Sequence, residues 1–241
     1  MAELQTGTDE VDVEHITLKG PDGAAIDAIH ARPDGMPHSG LVVHPDIMGV
    51  RPLFDDLCRR LATHGFAVCS PEPFARAPVE VRGASDSTVR MGHVKELDDE
   101  LQLGDLESAA DYLVVHDDVR EVAVLGFCMG GGLALYALAQ SKVFDAGVIY
   151  YQSMFPDPED LKSITAPMLC HYGTDDSGTT QTEIAMFRDS LERHKKKYQI
   201  EMYPGAGHAF LNNPSSKNAA NRDAADKSVA STAKWLKKVL G

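Results

Sequence analysis

The chain has 241 residues, 43% of them hydrophobic, which is enough to bury a sizeable core and ordinary for one α/β domain. A formal net charge of -13 disfavours partners as anionic as nucleic acid or an acidic lipid surface, because long-range repulsion slows that encounter, whereas a small neutral substrate is easy to accommodate. The first fourteen residues are polar and acidic, without the basic start and apolar core of a signal peptide, so the cytosol is the expected location.

Residues 15–18 and 25–30 are apolar-alternating segments on either side of Gly20-Pro21-Asp22-Gly23, which predicts an N-terminal antiparallel hairpin. A buried strand over residues 41–44 ends at Pro45. Residues 53–64 then place Leu53, Phe54, Leu57 and Leu61 on one helical stripe closed by Gly65. A strand follows over 66–69. Residues 71–93, rich in proline and polar side chains, read as loop, and helical spacing resumes over 97–115. The alternation continues with a strand over 122–125, a helix over 129–140, strands over 146–151 and 168–172, a helix over 182–195, a strand over 198–203 and a last helix from about 219 to 240. The apolar run 122–141 approaches membrane-span length, but its interruption by glycines makes it a strand, turn and helix. Alternating strands and helices imply a single α/β domain, a mostly parallel central sheet with helices on both faces in three layers.

In such a sheet ligands collect at the carboxyl ends of the strands. Cys128 stands there, in Gly126-Phe127-Cys128-Met129-Gly130-Gly131-Gly132, between a strand and a helix, and the glycines permit the sharp turn that exposes a nucleophile. The Met129 amide then falls at a helix N-terminus, where an unpaired N–H and the helix dipole favour an oxyanion and a thiolate. Asp175 and Asp176 both follow the strand 168–172, and His208 follows 198–203 through Gly205-Ala206-Gly207. Nucleophile, acid and histidine in that chain order suit acyl transfer: the imidazole shuttles a proton, the carboxylate fixes its tautomer, and the thiol forms a thioester that water cleaves. Asp46 ends another strand near the same site, where it could take the thiol proton, and the Ile47 amide could complete an oxyanion hole. His44 and His171 also lie at strand ends but outside any glycine loop, and read as structural histidines. Cys58, Cys69 and Cys170 read as packed free thiols, since no C-x-x-C pair suggests a metal or a disulfide framework.

The segments 126–131, Tyr172-Gly173-Thr174-Asp175-Asp176 and Gly205-Ala206-Gly207-His208-Ala209-Phe210, with Pro71-Glu72-Pro73-Phe74-Ala75-Arg76 and Gly104-Asp105-Leu106, resemble the dienelactone hydrolases of the α/β-hydrolase fold. The resemblance covers nearly the whole chain. It implies a Cys128-His208-Asp176 triad, oxyanion contacts from the amides of Ile47 and Met129, and an acidic proton acceptor at Asp46. It also implies a small ester or lactone substrate, with no metal or organic cofactor and no nucleic-acid or membrane partner. The chain departs from the family pattern in carrying Asp46 where the name-giving member has glutamate, and Asn212 where that member has an arginine gripping a substrate carboxylate. Arg76, Arg90, Phe127 and Asn212 are the expected substrate contacts. A general esterase or thioesterase is the alternative within enzymes; a catalytically silent ligand-binding or thiol-sensing module is the alternative outside them.

Overall fold

The computed structural model describes residues 6–212 and 216–241. One eight-stranded sheet runs through it in the order β1-β2-β4-β3-β5-β6-β7-β8. The strands are β1 Val11–Lys19, β2 Ala25–Pro33, β3 Ser39–His44, β4 Phe66–Pro71, β5 Val122–Phe127, β6 Ala146–Tyr150, β7 Met168–Gly173 and β8 Tyr198–Tyr203. The hairpin β1-β2 is antiparallel, as the Gly20–Gly23 turn chemistry requires, and β2 joins β4 antiparallel; every pairing from β4 through β3 to β8 is parallel. Strands β3 to β7 are buried along their whole length, so they appear in the sequence as largely apolar runs. The edge strand β1 is mostly exposed or half-buried instead.

The helices are α1 Pro52–Ala62, α2 Val79–Arg82, α3 Ser87–His93, α4 Asp99–Asp117, α5 Met129–Gln140, α6 Gln181–Arg193 and α7 Ala219–Val239. On one face, Phe54, Leu57 and Leu61 of α1 join Ala225, Val229, Ala233 and Leu236 of α7 over Leu41, Val43, Leu125 and Val148. On the other, Leu106 and Leu113 of α4, Leu135 and Leu138 of α5 and Phe187 and Leu191 of α6 pack on Val42, Val124, Ile149 and Cys170. The two cores give the three-layer α/β arrangement expected from the alternation. Among the described residues no helix is long and apolar enough to cross a membrane.

The structure corrects the reading of 71–93 as loop, because α2 and α3 lie inside it. Asp86 caps α3 by accepting from the Thr88 amide at 2.8 Å. Arg90 then turns inward from the same helix, stacks over Phe74 with 5.0 Å between guanidinium and ring centroid, and donates to Glu72. A buried arginine does not register as an apolar stripe, which is why the spacing missed this helix.

Candidate active site

The site lies where the strand order reverses. From β3 the chain goes to β4 on one side and, after the excursion through α2, α3 and α4, to β5 on the other, so the loops leaving β3 and β5 diverge and open a crevice. His44 of β3 pairs in register with Gly126 of β5, which sets the segments that start at Pro45 and Phe127 side by side.

Cys128 occupies the turn between β5 and α5 with φ 55° and ψ -113°, a backbone conformation that residues with a Cβ seldom adopt. The turn is held in place: its amide donates to the Tyr150 carbonyl at 3.0 Å, and its carbonyl accepts from Gly131 at 3.0 Å and Ser153 at 3.2 Å. Strand and helix approach so closely that a Cβ on Gly126 would stand 2.0 Å from the Gly130 carbonyl oxygen, and one on Gly130 would meet His44 Nδ1 and the Pro45 carbonyl oxygen at 2.4 Å. Only glycine fits at either position. Cys128 is half-buried, whereas Cys58, Cys69 and Cys170 are free thiols sealed in the core, where burial pushes the Cys170 thiol up to about 12.

His208 Nε2 lies 3.2 Å from Cys128 Sγ, and His208 Nδ1 lies 3.0 Å from each carboxylate oxygen of Asp176. Asp176 is itself fixed, its Oδ1 accepting from the amides of Gly178 at 2.7 Å and Thr179 at 2.9 Å. Gly178 also leaves room for the imidazole, since a Cβ there would stand 2.8 Å from His208 Nδ1. Burial favours the neutral ring, but the hydrogen bonds to Asp176 and Cys128 outweigh it and push the His208 pKa up to about 10. Asp175, the competing carboxylate, is exposed and accepts from the Thr174 hydroxyl at 3.0 Å instead.

Asp46 is buried beside this line, yet its oxygens are already taken. The Arg51 guanidinium grips both, at 2.6 and 2.8 Å, the Met48 amide donates to Oδ1 at 2.9 Å, and the Asn212 side-chain amide donates to Oδ2. Asn212 in turn accepts from the Tyr151 hydroxyl at 2.9 Å, and Tyr151 packs edge-on to His208 with 5.4 Å between ring centroids. The carboxylate therefore ties the loop that carries Ile47 to the loop that carries His208, rather than offering a free oxygen to the thiol.

Cys128, His208, Asp46, Ile47, Met129 and Asn212 all line a cavity of about 1160 Å³, walled further by Met91 and Gly92 of α3. His44 lines it too, bonded through Nδ1 to the Pro45 carbonyl at 2.9 Å and through Nε2 to Gln102 at 3.2 Å, with burial holding its pKa down. Three expected substrate contacts are placed elsewhere. Arg76 forms a two-sided ion pair with Asp105 and Asp22, at 2.6 and 2.8 Å. Arg90 is spent on Glu72 and on the carbonyls of Ala84 and Arg82. Phe127 is buried under the turn, stacked on Tyr150 at 4.7 Å and edge-on to Phe54 at 5.7 Å, because its place in β5 faces the α1–α7 core. Sequence reasoning missed Arg51, Tyr151 and Gly178. A guanidinium five residues after Asp46 at the start of a helix was the one visible signal for the first. Among the described residues no group of three His, Cys, Asp or Glu side chains is arranged to hold a metal ion.

The sequence pattern of the dienelactone hydrolase family matches residues 26–240. The chain belongs to this family. A relative from Escherichia coli (strain K12) named "Putative carboxymethylenebutenolidase" is 31% identical over 220 residues, covering 86% of this chain and 80% of the relative. The carboxymethylenebutenolidase of Rhodococcus opacus is 28% identical over 239 residues, covering 94% and 92%. Among solved structures, a Klebsiella pneumoniae protein described as "Putative Dienelactone Hydrolase" superposes with a TM-score of 0.81 at 26% identity, covering 92% of this chain and 98% of that one. The protein is thus a dienelactone hydrolase-like hydrolase on the α/β-hydrolase fold.

Proposed function

We propose that this dienelactone hydrolase-like protein cleaves a small ester or lactone by covalent catalysis at Cys128. The observation that carries the reading is the continuous hydrogen-bonded line from Cys128 Sγ through His208 to Asp176 at the wall of a large cavity. In the first half-reaction the proton shared between Cys128 and His208 rests on Nε2, and Sγ attacks the carbonyl carbon. The oxyanion so formed is taken by the amides of Ile47 and Met129, the latter at the positive end of α5. Collapse of this intermediate breaks the bond to the leaving alkoxide, which receives the proton from His208, and leaves a thioester on Cys128. Water then gives its proton to His208 and attacks the thioester; collapse releases the acid and restores the thiol. Asp176 holds Nδ1 protonated and stabilises the imidazolium. Asp46 acts as a positioning residue, clamping the Ile47 loop against the His208 loop.

The test is mass spectrometry of the chain quenched during turnover of an aryl ester, with Cys128→Ala alongside. The expected result is an adduct of the acyl mass on Cys128 and a fall of about 10⁴-fold or more in kcat/KM for the variant, with its thermal unfolding unchanged. Turnover near the wild-type rate in Cys128→Ala would remove the cysteine from the mechanism. Reversible oxidation of Cys128 with ligand binding and no turnover would favour the thiol-sensing module instead.

A further inference from the structure

The charges around the cavity are arranged in a way that bears on what can enter it. Its lining includes two carboxylates, Asp46 and Asp99, and one lysine, Lys95, but no arginine. The Arg51 guanidinium binds the lining carboxylate of Asp46 with both of its terminal nitrogens and stacks over Phe54 at 5.1 Å. Arg76 and Arg90 are committed to Asp22, Asp105 and Glu72. Asn212 spends its carbonyl oxygen on Tyr151 and its amide on Asp46. Lys95 is solvent-exposed, with its ammonium 3.8 Å from Glu96. The remaining wall is carbon-rich, with Met91, Val94, Leu97, Leu133 and Met154 facing the space.

A substrate carboxylate drawn into this cavity would leave water to find only the His208 ring, already paired with Asp176 and Cys128, and the exposed ammonium of Lys95, and would approach the Asp99 carboxylate. Burying an unpaired charge is among the most costly of all desolvations. An uncharged acyl chain meets the opposite situation, since each methylene finds an apolar wall. The cavity, at about 1160 Å³, is also larger than a small lactone needs and exceeds the range of about 300–1,000 Å³ usual for ligand pockets.

On the reading of Cys128 as the nucleophile, we infer that this hydrolase is selective for uncharged esters with an extended apolar acyl chain, and discriminates against substrates whose acyl chain ends in a carboxylate. The specificity-determining feature is the Arg51–Asp46–Asn212–Tyr151 network, which takes up the local guanidinium and amide donors before substrate arrives.

The experiment compares kcat/KM of the wild-type chain for p-nitrophenyl hexanoate and for the p-nitrophenyl half-ester of adipic acid, each normalised to its alkaline hydrolysis rate. The expected preference for the hexanoate is about 100-fold, and a preference below about tenfold, or a reversed one, overturns the inference while leaving the hydrolase reading in place. Met91→Arg, on the exposed side of α3 and facing the cavity, is expected to shrink that preference by about tenfold by supplying the missing cation. A calorimetric titration of Cys128→Ala with hexanamide and with adipic acid monoamide separates selectivity from turnover. Tighter binding of hexanamide supports the inference, and equal or tighter binding of the acid overturns it, even if no ester is cleaved.

Discussion

His171 lies in β7 and His208 follows the next strand, β8, and both touch a tyrosine ring: His208 meets Tyr151 edge-on and His171 stacks on Tyr150 at 4.4 Å. Their partners make them opposites. His171 is fully buried between the hydroxyls of Tyr203 at 2.9 Å and Thr232 at 3.0 Å, and burial drops its pKa to about 4 despite the charge of Glu201. His208 is half-exposed, faces a buried carboxylate with one nitrogen and a thiol with the other, and has its pKa pushed up to about 10. Imidazole at the end of a strand is therefore not what makes a proton shuttle. A carboxylate behind the ring and a cavity in front of it do that.

Asp176→Asn is the strongest way to break this contrast, because it gives His208 a neutral partner of the kind His171 already has. The expected outcome is a fall of about 10³- to 10⁴-fold in kcat/KM, from a mis-set tautomer and an unstabilised imidazolium. The pH profile adds a signature. The proton that His208 gives to the leaving group is retained in the wild type until the pH approaches about 10, whereas in the variant the raising partner is gone and the alkaline limb moves to lower pH. An unmoved alkaline limb would show that Asp176 does not set the proton affinity of the ring.

The contrast between the two histidines was legible in the sequence only because of backbone chemistry around them. Gly205, with its positive φ, and the turn at Gly126–Gly130 mark places where the chain must bend or approach another backbone, and such demands are local. The alternating apolar runs of β3 to β7 were local too, so the order of elements followed from the pattern. What was not legible depended on partners far apart in the chain. Arg90 and Arg76 looked available to a substrate until Glu72, Asp105 and Asp22 closed around them, and Arg51 had no visible role until Asn212, 166 positions from Asp46, met the same carboxylate. Phe127 was misplaced by one peptide unit's geometry, since adjacent residues at the end of β5 face opposite ways. Cations and carboxylates satisfy one another wherever the fold lets them, and composition alone does not say which remain for the ligand.

His171→Gln sharpens the comparison from the structural side and carries a smaller effect. The variant is expected to keep wild-type kcat/KM, because nothing places this ring in the cavity. Its effect is on stability against acid. A histidine whose folded pKa is depressed below its unfolded value contributes stability that is present above the unfolded value near 6.5 and lost as pH falls toward the folded value near 4. Wild-type unfolding free energy should therefore drop by up to about 3 kcal/mol across that window from this group, and the drop should be shallower in His171→Gln. Urea melts at pH 7 and pH 4.5 measure it. Equal acid sensitivity in both proteins would assign the acid loss to other groups.

The smallest expected effect belongs to Asp46→Asn, and it separates a clamp from a base. A proton acceptor for the Cys128 thiol would, when replaced by an amide, cost about 10²-fold or more in kcat/KM and reshape the acid limb of the pH profile. A clamp loses less. Asparagine can still accept from Arg51 and from the Met48 amide through its carbonyl oxygen, but its NH2 replaces the oxygen that takes the Asn212 amide, so the Ile47 loop keeps its own ties and loses its hold on the His208 loop, and the expected fall is about three- to tenfold with both limbs unmoved. Arg51→Met removes the other half of the same ion pair and should reproduce that loss. Because the two residues act on the loop through one contact, the double variant should be little worse than either single one, a coupling that additive losses would contradict. Positioning by Asp46 and proton transfer by His208 then answer to different measurements, one to loop coupling and the other to pH.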